Sequence, residues 1–245
     1  MKLLEDIDPG RILFIDIETA PAAPAFEKMS PVLQQMWDKK SSYFRTAEQS
    51  AADVYSRAGI YSEFGKIICI SAGFITGSED NMSLRIKSFY GHDEKQLLND
   101  FSSMLGGFCR NREAVLCAHN GKEFDYPYIA RRMLINGIRI PYLLDNAGRK
   151  PWEVGLLDTM ELWKFGDYKH YTSLALIAAL LGIDTPKDDI DGSMVADVYW
   201  KDNDINRIAR YCEKDVIALT QVFLKFRDND LISSEKIESV TVFGD

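Results

Sequence analysis

The segment RILFIDIETA, residues 11–20, is the most informative stretch of the chain. Apolar side chains occupy both faces of its predicted β-strand, which is typical of a central strand covered on both sides. Asp16 and Glu18 interrupt this pattern, and alternate residues of a strand point to one face, about 7 Å apart along it. Two buried like charges repel each other and lose hydration unless a cation holds them. The segment therefore favours a divalent-metal site; the alternative is a strand end that has reached solvent.

Length and composition are those of one ordinary globular domain. The chain has 245 residues, of which 46% are hydrophobic and 27% charged, which predicts a single domain over 1–245. No apolar run reaches the roughly 18 residues needed to cross a membrane, and MKLLEDIDPG, residues 1–10, lacks a signal-peptide core. We therefore expect a cytoplasmic protein with no membrane partner.

Charge and cysteine content exclude some kinds of protein. The net charge of −8 argues against a broad basic face that grips nucleic acid, but permits a local basic track. The cysteine spacings fit neither a zinc site nor a disulfide framework, which predicts reduced, mostly buried thiols. These cysteines are Cys69, Cys109, Cys117 and Cys212.

The order of the predicted elements indicates the α/β class, with a mixed β-sheet flanked by α-helices. After the first strand, hydrophobic and turn patterns predict strands at 66–76, 83–90 and 114–120, with 156–162 as a fifth strand or its edge. A helical insert spans about 21–65 and is mostly helical from 31 to 58. Further helices are predicted at about 93–109, 126–136, 172–181, 193–200 and 205–227. The polar tail after Asp228 is expected to be peripheral.

The last predicted helix carries a second pair of candidate residues. Tyr211 and Asp215 are spaced i, i+4 and therefore lie on one flank of its apolar stripe. We expect Arg210, Glu213 and Lys214 to be ordinary solvated charges. The alternative for Asp215 is a boundary acid paired with a nearby arginine.

A third segment is CAHNGKEFDYPYIARR, residues 117–132. A buried strand ends at Asn120 and Gly121, the chain turns, and Asp125 follows near the start of a helix. Sites in α/β sheets are built at the carboxyl ends of strands. Asp125 is therefore a candidate site residue; alternatively, its charge merely favours the helix N-terminus.

Taken together, the motifs FIDIET (14–19), HNGKEFD (119–125) and YCEKD (211–215) resemble the DEDD superfamily of 3′–5′ exonucleases. The tyrosine four residues before the last aspartate is typical of the DEDDy branch, which includes the exonuclease domains of family A and family B DNA polymerases. The segments FGKIICISAGFI (64–75) and SLALIAALLGI (173–183) resemble the family B type. The likeness spans about residues 10–228 and implies a ribonuclease H-like fold.

The resemblance implies a site with two divalent metal ions. Asp16 would bridge both ions, Glu18 and Asp215 would hold the ion that carries the attacking water, and Asp125 would serve the second ion. Because the predicted ligands are hard oxygens, with no cysteine or histidine converging on them, Mg²⁺ or Mn²⁺ is expected.

Tyr211 would orient the attacking water, since a phenol is a poor base at neutral pH. In the DEDDh branch a histidine takes this role one residue earlier, where this chain has Arg210. The resemblance also implies that the backbone around Glu18 and Thr19 meets the terminal 3′-hydroxyl, and that Asn120 or Phe124 lines the cleft.

Several other side chains are candidates for substrate contact. His119 is one, although a polar residue at a strand end is usually solvated. The basic candidates for phosphate contacts are Lys122, Arg131, Arg132, Lys164 and Lys169. Aromatic residues of the insert either stack on unpaired bases or pack the insert onto the domain: Trp37, Tyr43, Phe44, Tyr55, Tyr61 and Phe64. Three acids are expected to be turn residues: Asp188, Asp189 and Asp191.

The sequence thus predicts a free-standing, metal-dependent 3′–5′ exonuclease that releases nucleoside 5′-monophosphates from single-stranded ends. DNA is the favoured substrate, and the role would be proofreading-like trimming in DNA repair. One alternative is an exoribonuclease of the same chemistry, because nothing in the sequence reads the 2′-hydroxyl. Another is an inactive nucleic-acid-binding or scaffolding domain, which would have little reason to keep all four acids and the tyrosine. A kinase on a related fold would need a glycine-rich phosphate loop, and none follows the first strand.

Overall fold

The computed structural model describes residues 1–110, 113–167, 171–184 and 190–244; Lys169, Asp188 and Asp189 lie outside these ranges. Within them, six strands form one sheet in the order β5-β4-β1-β2-β3-β6. β1 to β3 are antiparallel neighbours, β4 and β5 run parallel to β1, and β6 runs parallel to β3. The strands are β1 Ile12–Pro21, β2 Gly65–Thr76, β3 Ser83–Tyr90, β4 Val115–Ala118, β5 Leu157–Asp158 and β6 Ile237–Ser239. The predicted mixed sheet is confirmed.

Helices flank the sheet and begin at residues that suit helix starts. Ser30, Asp93, Ser173 and Asp204 each accept a hydrogen bond from a backbone N–H of the first turn. The α-helices are α1 Lys2–Glu5, α2 Pro31–Ser41, α3 Glu94–Cys109, α4 Asp125–Ile135, α5 Thr159–Lys164, α6 Leu174–Leu180, α7 Val195–Asp197 and α8 Ile205–Phe226. A π-helical turn follows α7 over Val198–Asp202.

Strand β1 lies between two apolar layers, as its sequence predicts. Ile12 and Phe14 belong to the cluster built with α6 and α8, in which the rings of Phe14 and Phe223 meet edge to face at 5.3 Å. Leu13 and Ile15 belong to the cluster built with α3 and α4. The acids of β1 share the face of Ile12 and Phe14, and therefore face α8.

The pairing of β1 with β2 shifts at the acid end of β1. Glu18 pairs with Cys69, but Thr19 pairs with Ile67, so β2 has one extra residue there. Such bulges bend a strand and re-aim its side chains, and they are common beside active sites. The bulge therefore lies in β2 opposite Glu18 and Thr19, two residues that the sequence assigns to the site.

The insert is less helical than the prediction of helix from 31 to 58. Helix α2 ends at Ser41, turns follow, and a 3₁₀ helix covers Tyr55–Ile60. Its aromatic side chains pack around the fully buried Trp37, whose indole N–H donates to the carbonyl of Ala51 at 2.9 Å. The rings with centroids within 6.0 Å of Trp37 are Phe44, Tyr55, Tyr61 and Phe64. These rings form a core within the insert itself, whereas Tyr43 is exposed; their packing onto the domain and their stacking on bases stay predictions.

Two further predictions differ from the structure. The segment 156–162 contributes only a two-residue strand, because the carboxylate of Asp158 accepts the N–H groups of Met160 and Glu161 and starts α5. The tail after Asp228 is not peripheral, since β6 pairs with β3 and Ile232 is buried.

All four cysteines are free thiols, as predicted. In the part of the chain that the structure describes, no helix is long and apolar enough to span a bilayer. The extent of the domain over 1–245 stays a prediction.

Candidate active site

The acids of β1 meet α8 at a cysteine. One oxygen each from Asp16 and Glu18, and Sγ of Cys212, all lie within 4.8 Å of one another. Glu18 is only 8% exposed and Asp16 is partly buried. The Cys212 thiol lies 3.3 Å from Asp16 Oδ2 and 3.4 Å from the Asp16 carbonyl oxygen. The prediction that no cysteine converges on these acids is therefore wrong: the apolar stripe of α8 brings Cys212 to them.

Asp125 reaches β1 from the opposite helical layer. It is the first residue of α4 and is 3% exposed, and its carboxylate accepts a hydrogen bond from the backbone N–H of Ile17. The carboxylate is thereby fixed beside the strand that carries Asp16 and Glu18.

The turn before Asp125 is shaped by three residues. Asn120 adopts a left-handed conformation with φ of 59°, and its carbonyl accepts the N–H of Phe124 at 3.0 Å. A Cβ at Gly121 would lie 2.4 Å from that of Ala118, so only glycine fits there. The turn is therefore held in one shape on the end of β4.

Asp158 is a residue that the sequence interpretation missed. It is buried, and its carboxylate accepts the backbone N–H groups of Asn120 at 2.9 Å and Lys122 at 3.0 Å. The same carboxylate starts α5, so it ties the turn of the third motif to the neighbouring strand. An aspartate directly before a helical stretch, with Glu161 three residues later, is an N-cap signal that could have revealed it.

Tyr211 and Asp215 lie on the flank of α8 that faces β1. The Tyr211 hydroxyl donates a hydrogen bond to the Asp215 carboxylate. Asp215 lies outside the 4.8 Å group, yet its charge is the largest charge effect on the pKa of both Asp16 and Glu18. The five predicted catalytic residues are thus electrostatic neighbours, although only Asp16 and Glu18 share the tight group.

Burial and mutual repulsion govern the ionisation of these acids. Burial first, then the charges of Asp215, Glu18 and Asp125, raise the pKa of Asp16 well above its usual value. Burial likewise raises the pKa of Glu18, and raises that of Asp125 to about 8. No basic side chain of the described residues is among the groups that shift the pKa of Asp16, Glu18 or Asp125. Ionisation of all these acids together is therefore unfavourable unless a cation lies close to them.

The three candidate substrate residues have different surroundings. The Thr19 hydroxyl bonds to the phenol of Tyr128, which itself donates to the carbonyl of Gly59 at 2.7 Å. The side-chain oxygen of Asn120 is buried and has no hydrogen-bond partner within the described ranges. Phe124 is partly exposed, with its ring centroid 5.3 Å from that of Tyr128. Their contact with a substrate stays a prediction.

Two basic candidates are engaged with acids. Arg132 is buried and forms a two-point ion pair with Glu94, at 2.8 and 2.5 Å, so its predicted phosphate contact is wrong. Lys122 pairs with Glu161 at 2.7 Å. Arg131 is exposed and Lys164 partly exposed, so phosphate contacts by these two stay predictions.

Two polar residues, His119 and Glu213, differ from the solvated side chains that the sequence predicts, whereas Arg210 is exposed as predicted. The His119 ring lies 2.9 Å from the Thr159 hydroxyl and 2.8 Å from the Thr172 carbonyl, and burial lowers its pKa. The Arg210 guanidinium covers the ring of Phe243 at 4.0 Å from its centroid.

Glu213 is buried rather than solvated. Its carboxylate accepts hydrogen bonds from Ser88 and Ser239 at 3.0 Å each, and from Thr241. The cause is the C-terminal tail, which folds over this face of α8 and supplies two of the three donors. His119 and Glu213 thus belong to the framework around the site.

Comparison with known proteins gives one family and one related fold. A sequence model of the family described as "Predicted 3′–5′ exonuclease related to the exonuclease domain of PolB" matches residues 60–239, well over half of the chain. That range contains Asp125, Tyr211 and Asp215 but not Asp16 or Glu18. No curated protein matches the chain.

Among solved structures, the family B DNA polymerase of the hyperthermophilic archaeon Pyrobaculum calidifontis is similar, with a TM-score of 0.51 at 17% identity. The match covers 89% of this chain and 24% of the polymerase, so the chain spans about a quarter of that protein's length. At this identity the likeness concerns the fold, which is the ribonuclease H-like mixed sheet flanked by helices. The chain belongs to the family of predicted 3′–5′ exonucleases related to the exonuclease domain of PolB.

Proposed function

We propose that the chain is a metal-dependent 3′–5′ exonuclease that removes nucleoside 5′-monophosphates from single-stranded 3′ ends, with DNA favoured. One observation carries the proposal. Asp16, Glu18 and Asp125 lie near the end of β1, burial and the charges of neighbouring acids raise the pKa of each, and no basic side chain of the described residues is among the groups that shift these pKa values. Acids that only stabilise a fold are paired with protein donors, so this group suits external cations.

The donor set fits two divalent ions held by Asp16, Glu18, Asp125 and Asp215. Carboxylate oxygens are the ligands that Mg²⁺ and Mn²⁺ prefer. When bound, such a pair of ions would lower the pKa of an attacking water and neutralise the charge on the leaving 3′ oxygen.

The protein groups around the acids would position the reactants. The N–H of Ile17 fixes the carboxylate of Asp125, and Asp158 holds the turn that precedes it. Burial and the charge of Asp215 raise the pKa of Tyr211 further above its usual value, so its phenol keeps its proton. Tyr211 would therefore orient the attacking water as a hydrogen-bonding group rather than remove a proton from it.

The end nucleotide would lie beside Glu18 and Thr19 of β1, opposite the bulge of β2. The backbone at Glu18 and Thr19 would meet the 3′-hydroxyl, and Phe124 would contact the terminal base or sugar. Asn120 offers a buried oxygen without a partner in the described structure, which a hydroxyl or amino group of the nucleotide would satisfy.

A digestion time course tests this function. End-labelled single-stranded DNA, RNA and mismatched duplexes are compared with Mg²⁺ or Mn²⁺ and with EDTA, using the wild type and Asp215→Asn. Asp197→Asn is a matched control, because Asp197 is exposed and pairs with Lys201 on the surface of the protein. We expect metal-dependent shortening from the 3′ end, lost in Asp215→Asn and kept in Asp197→Asn.

Other outcomes would replace the proposal. Preferential digestion of RNA would make the protein an exoribonuclease. Binding of single strands without cleavage would favour an inactive nucleic-acid-binding domain, and full cleavage in EDTA would refute the metal requirement. A role in DNA repair and a cytoplasmic location stay predictions.

A further inference from the structure

The thiol of Cys212 is placed as a ligand would be, next to the acids of β1. Two ligand atoms bound to one tetrahedral ion, one sulfur and one oxygen, lie about 3.6 Å apart, given usual zinc distances. Sγ of Cys212 lies 3.3 Å from Asp16 Oδ2. One carboxylate oxygen of Glu18, the third member of the group, lies within 4.8 Å of a carboxylate oxygen of Asp16 and of the Cys212 sulfur. Three donors from two rigid elements thus surround one volume.

Glu18 supports the same interpretation independently of the cysteine. Its side chain is 8% exposed. In the described structure, no hydrogen-bond donor is among the groups that shift the pKa of its carboxyl. A buried carboxylate without donors is costly unless an ion binds it. The group therefore combines a carboxylate that needs a ligand with a sulfur atom at ligand spacing.

A second sulfur lies behind the first. Cys69 is the β2 partner of Glu18 in the sheet, and its thiol lies close enough to that of Cys212 to raise the pKa of Cys212. The Cys69 sulfur also contacts the Ser71 hydroxyl at 3.7 Å. This side of the site is therefore polarisable and sulfur-rich, whereas the side of Asp125 and Asp215 offers oxygen only.

We propose that Asp16, Glu18 and Cys212 form a mixed oxygen–sulfur site that binds a thiophilic divalent cation of the Zn²⁺ class. On binding, the S–H bond breaks, its proton passes to solvent and a metal–sulfur bond forms, with no change of oxidation state. Zn²⁺ accepts sulfur and oxygen ligands together, whereas Mg²⁺ binds oxygen only.

The consequence for activity rests on the proposed function. Because Asp16 and Glu18 are also proposed ligands of the catalytic ions, a thiophilic cation would occupy their place and inhibit the nuclease. Cys212 would then make the enzyme more sensitive to zinc than an oxygen-only site would be. The alternative is that Cys212 is a small core residue whose thiol merely contacts Asp16.

Spectroscopy with Co²⁺ separates these alternatives without any activity assay. Metal-free full-length protein is titrated with Co²⁺, and thiolate-to-cobalt charge transfer is followed in the near ultraviolet. All variants carry Cys109→Ser, because Cys109 is the one cysteine that is not fully buried. We expect the band in this background and with Cys69→Ser, and its loss with Cys212→Ala.

Asp16→Asn keeps every thiol and tests the oxygen half of the site. It is also the deciding variant if Cys212→Ala does not fold, as judged by circular dichroism. We expect Asp16→Asn to lose the band. A band that persists in Cys212→Ala or in Asp16→Asn, or that disappears only in Cys69→Ser, would overturn the assignment.

Affinity measurements give the size of the effect. Zn²⁺ affinity, measured by competition with a chromophoric chelator, should fall at least about tenfold in Cys212→Ala, and Mn²⁺ affinity should change much less. An equal loss for both ions would contradict a sulfur ligand. Failure of the nuclease function would appear separately, as a cobalt band in a protein that cleaves no nucleic acid with Mg²⁺.

Discussion

Two groups of buried acids in this chain are held in opposite ways. Glu94, at the start of α3, is 7% exposed, and its carboxylate accepts donors from Arg132, Asn136 and the N–H of Ile67. At the end of β1, Glu18 is similarly buried and Asp16 is partly buried. The charges that shift the pKa of these two acids come from other acids and from a thiol. Glu94 is neutralised by donors of the protein and stabilises the fold. The acids at the end of β1 lack such a counter-charge, which an external cation would supply.

The largest expected effect separates the two groups by activity. Asp16→Asn should lower the exonuclease rate at least about 10³-fold, because a ligand common to both ions is lost. The same change should leave the metal-free protein equally stable or more stable, since it removes a charge that lies among other acids and has only a weak thiol donor beside it. Single-turnover rates and urea unfolding in EDTA measure the two effects. A variant that keeps a tenth of the wild-type rate would contradict the role of Asp16.

The opposite result is expected for the paired acid. Glu94→Gln should lower the free energy of unfolding by about 3 kcal/mol, because Arg132 would remain buried without its counter-ion. The rate per folded molecule should stay within a few fold. Urea unfolding and active-site titration provide the measurement, and a Glu94→Gln protein as stable as the wild type would show that the contrast between the groups is wrong.

Much of this contrast was visible in the sequence. The alternation in residues 11–20 predicts a strand covered on both faces, and the two acids stand out because they break that pattern. The spacing of Tyr211 and Asp215 likewise places both on one flank of α8. Such periodic signals depend only on local geometry.

Long-range pairings could not be predicted in this way. Cys212 lies on the apolar stripe of α8, so its pattern indicates a core residue, and only the packing of α8 on β1 brings it to Asp16. Glu213 reads as solvated because the donors that bury it come from the tail, 26 and 28 residues later in the chain.

The insert shows a different limit. Helix-forming residues continue past Ser41, yet Ser50 and Asp53 bond to each other's side chain and backbone. Such local bonds compete with helix formation. Whether the helix or the turn forms here also depends on the hydrogen bond from Trp37 to Ala51.

The pH dependence of stability sharpens the comparison. Burial raises the pKa of Asp125 to about 8, well above its value in an unfolded chain, so between these values the folded state binds more protons. Stability from this group is therefore fully present at low pH and is lost as the pH rises toward 8. In EDTA, Asp125→Asn should gain stability over the wild type by up to about 1.4 kcal/mol per pH unit across this window.

Urea unfolding of wild type and Asp125→Asn at several pH values, with and without Mn²⁺, measures that difference. Mn²⁺ should stabilise the wild type more than the variant at the alkaline end, because the ion favours the charged carboxylate. A difference between the two proteins that does not depend on pH would show that Asp125 titrates normally.

The smallest effect is expected at Tyr211, which would orient water without holding an ion. Tyr211→Phe removes only the hydroxyl that bonds to Asp215, so the exonuclease rate should fall by about tenfold, against about 10³-fold for Asp16→Asn. Mn²⁺ affinity should not change, because no ligand is lost. Equal losses of rate and of Mn²⁺ affinity would show that Tyr211 positions the acids rather than the attacking water. An unchanged rate would show that Tyr211 takes no part in the reaction. With either result, the carboxylates would remain the groups at the end of β1 that need a cation, and Tyr211 would not share that role.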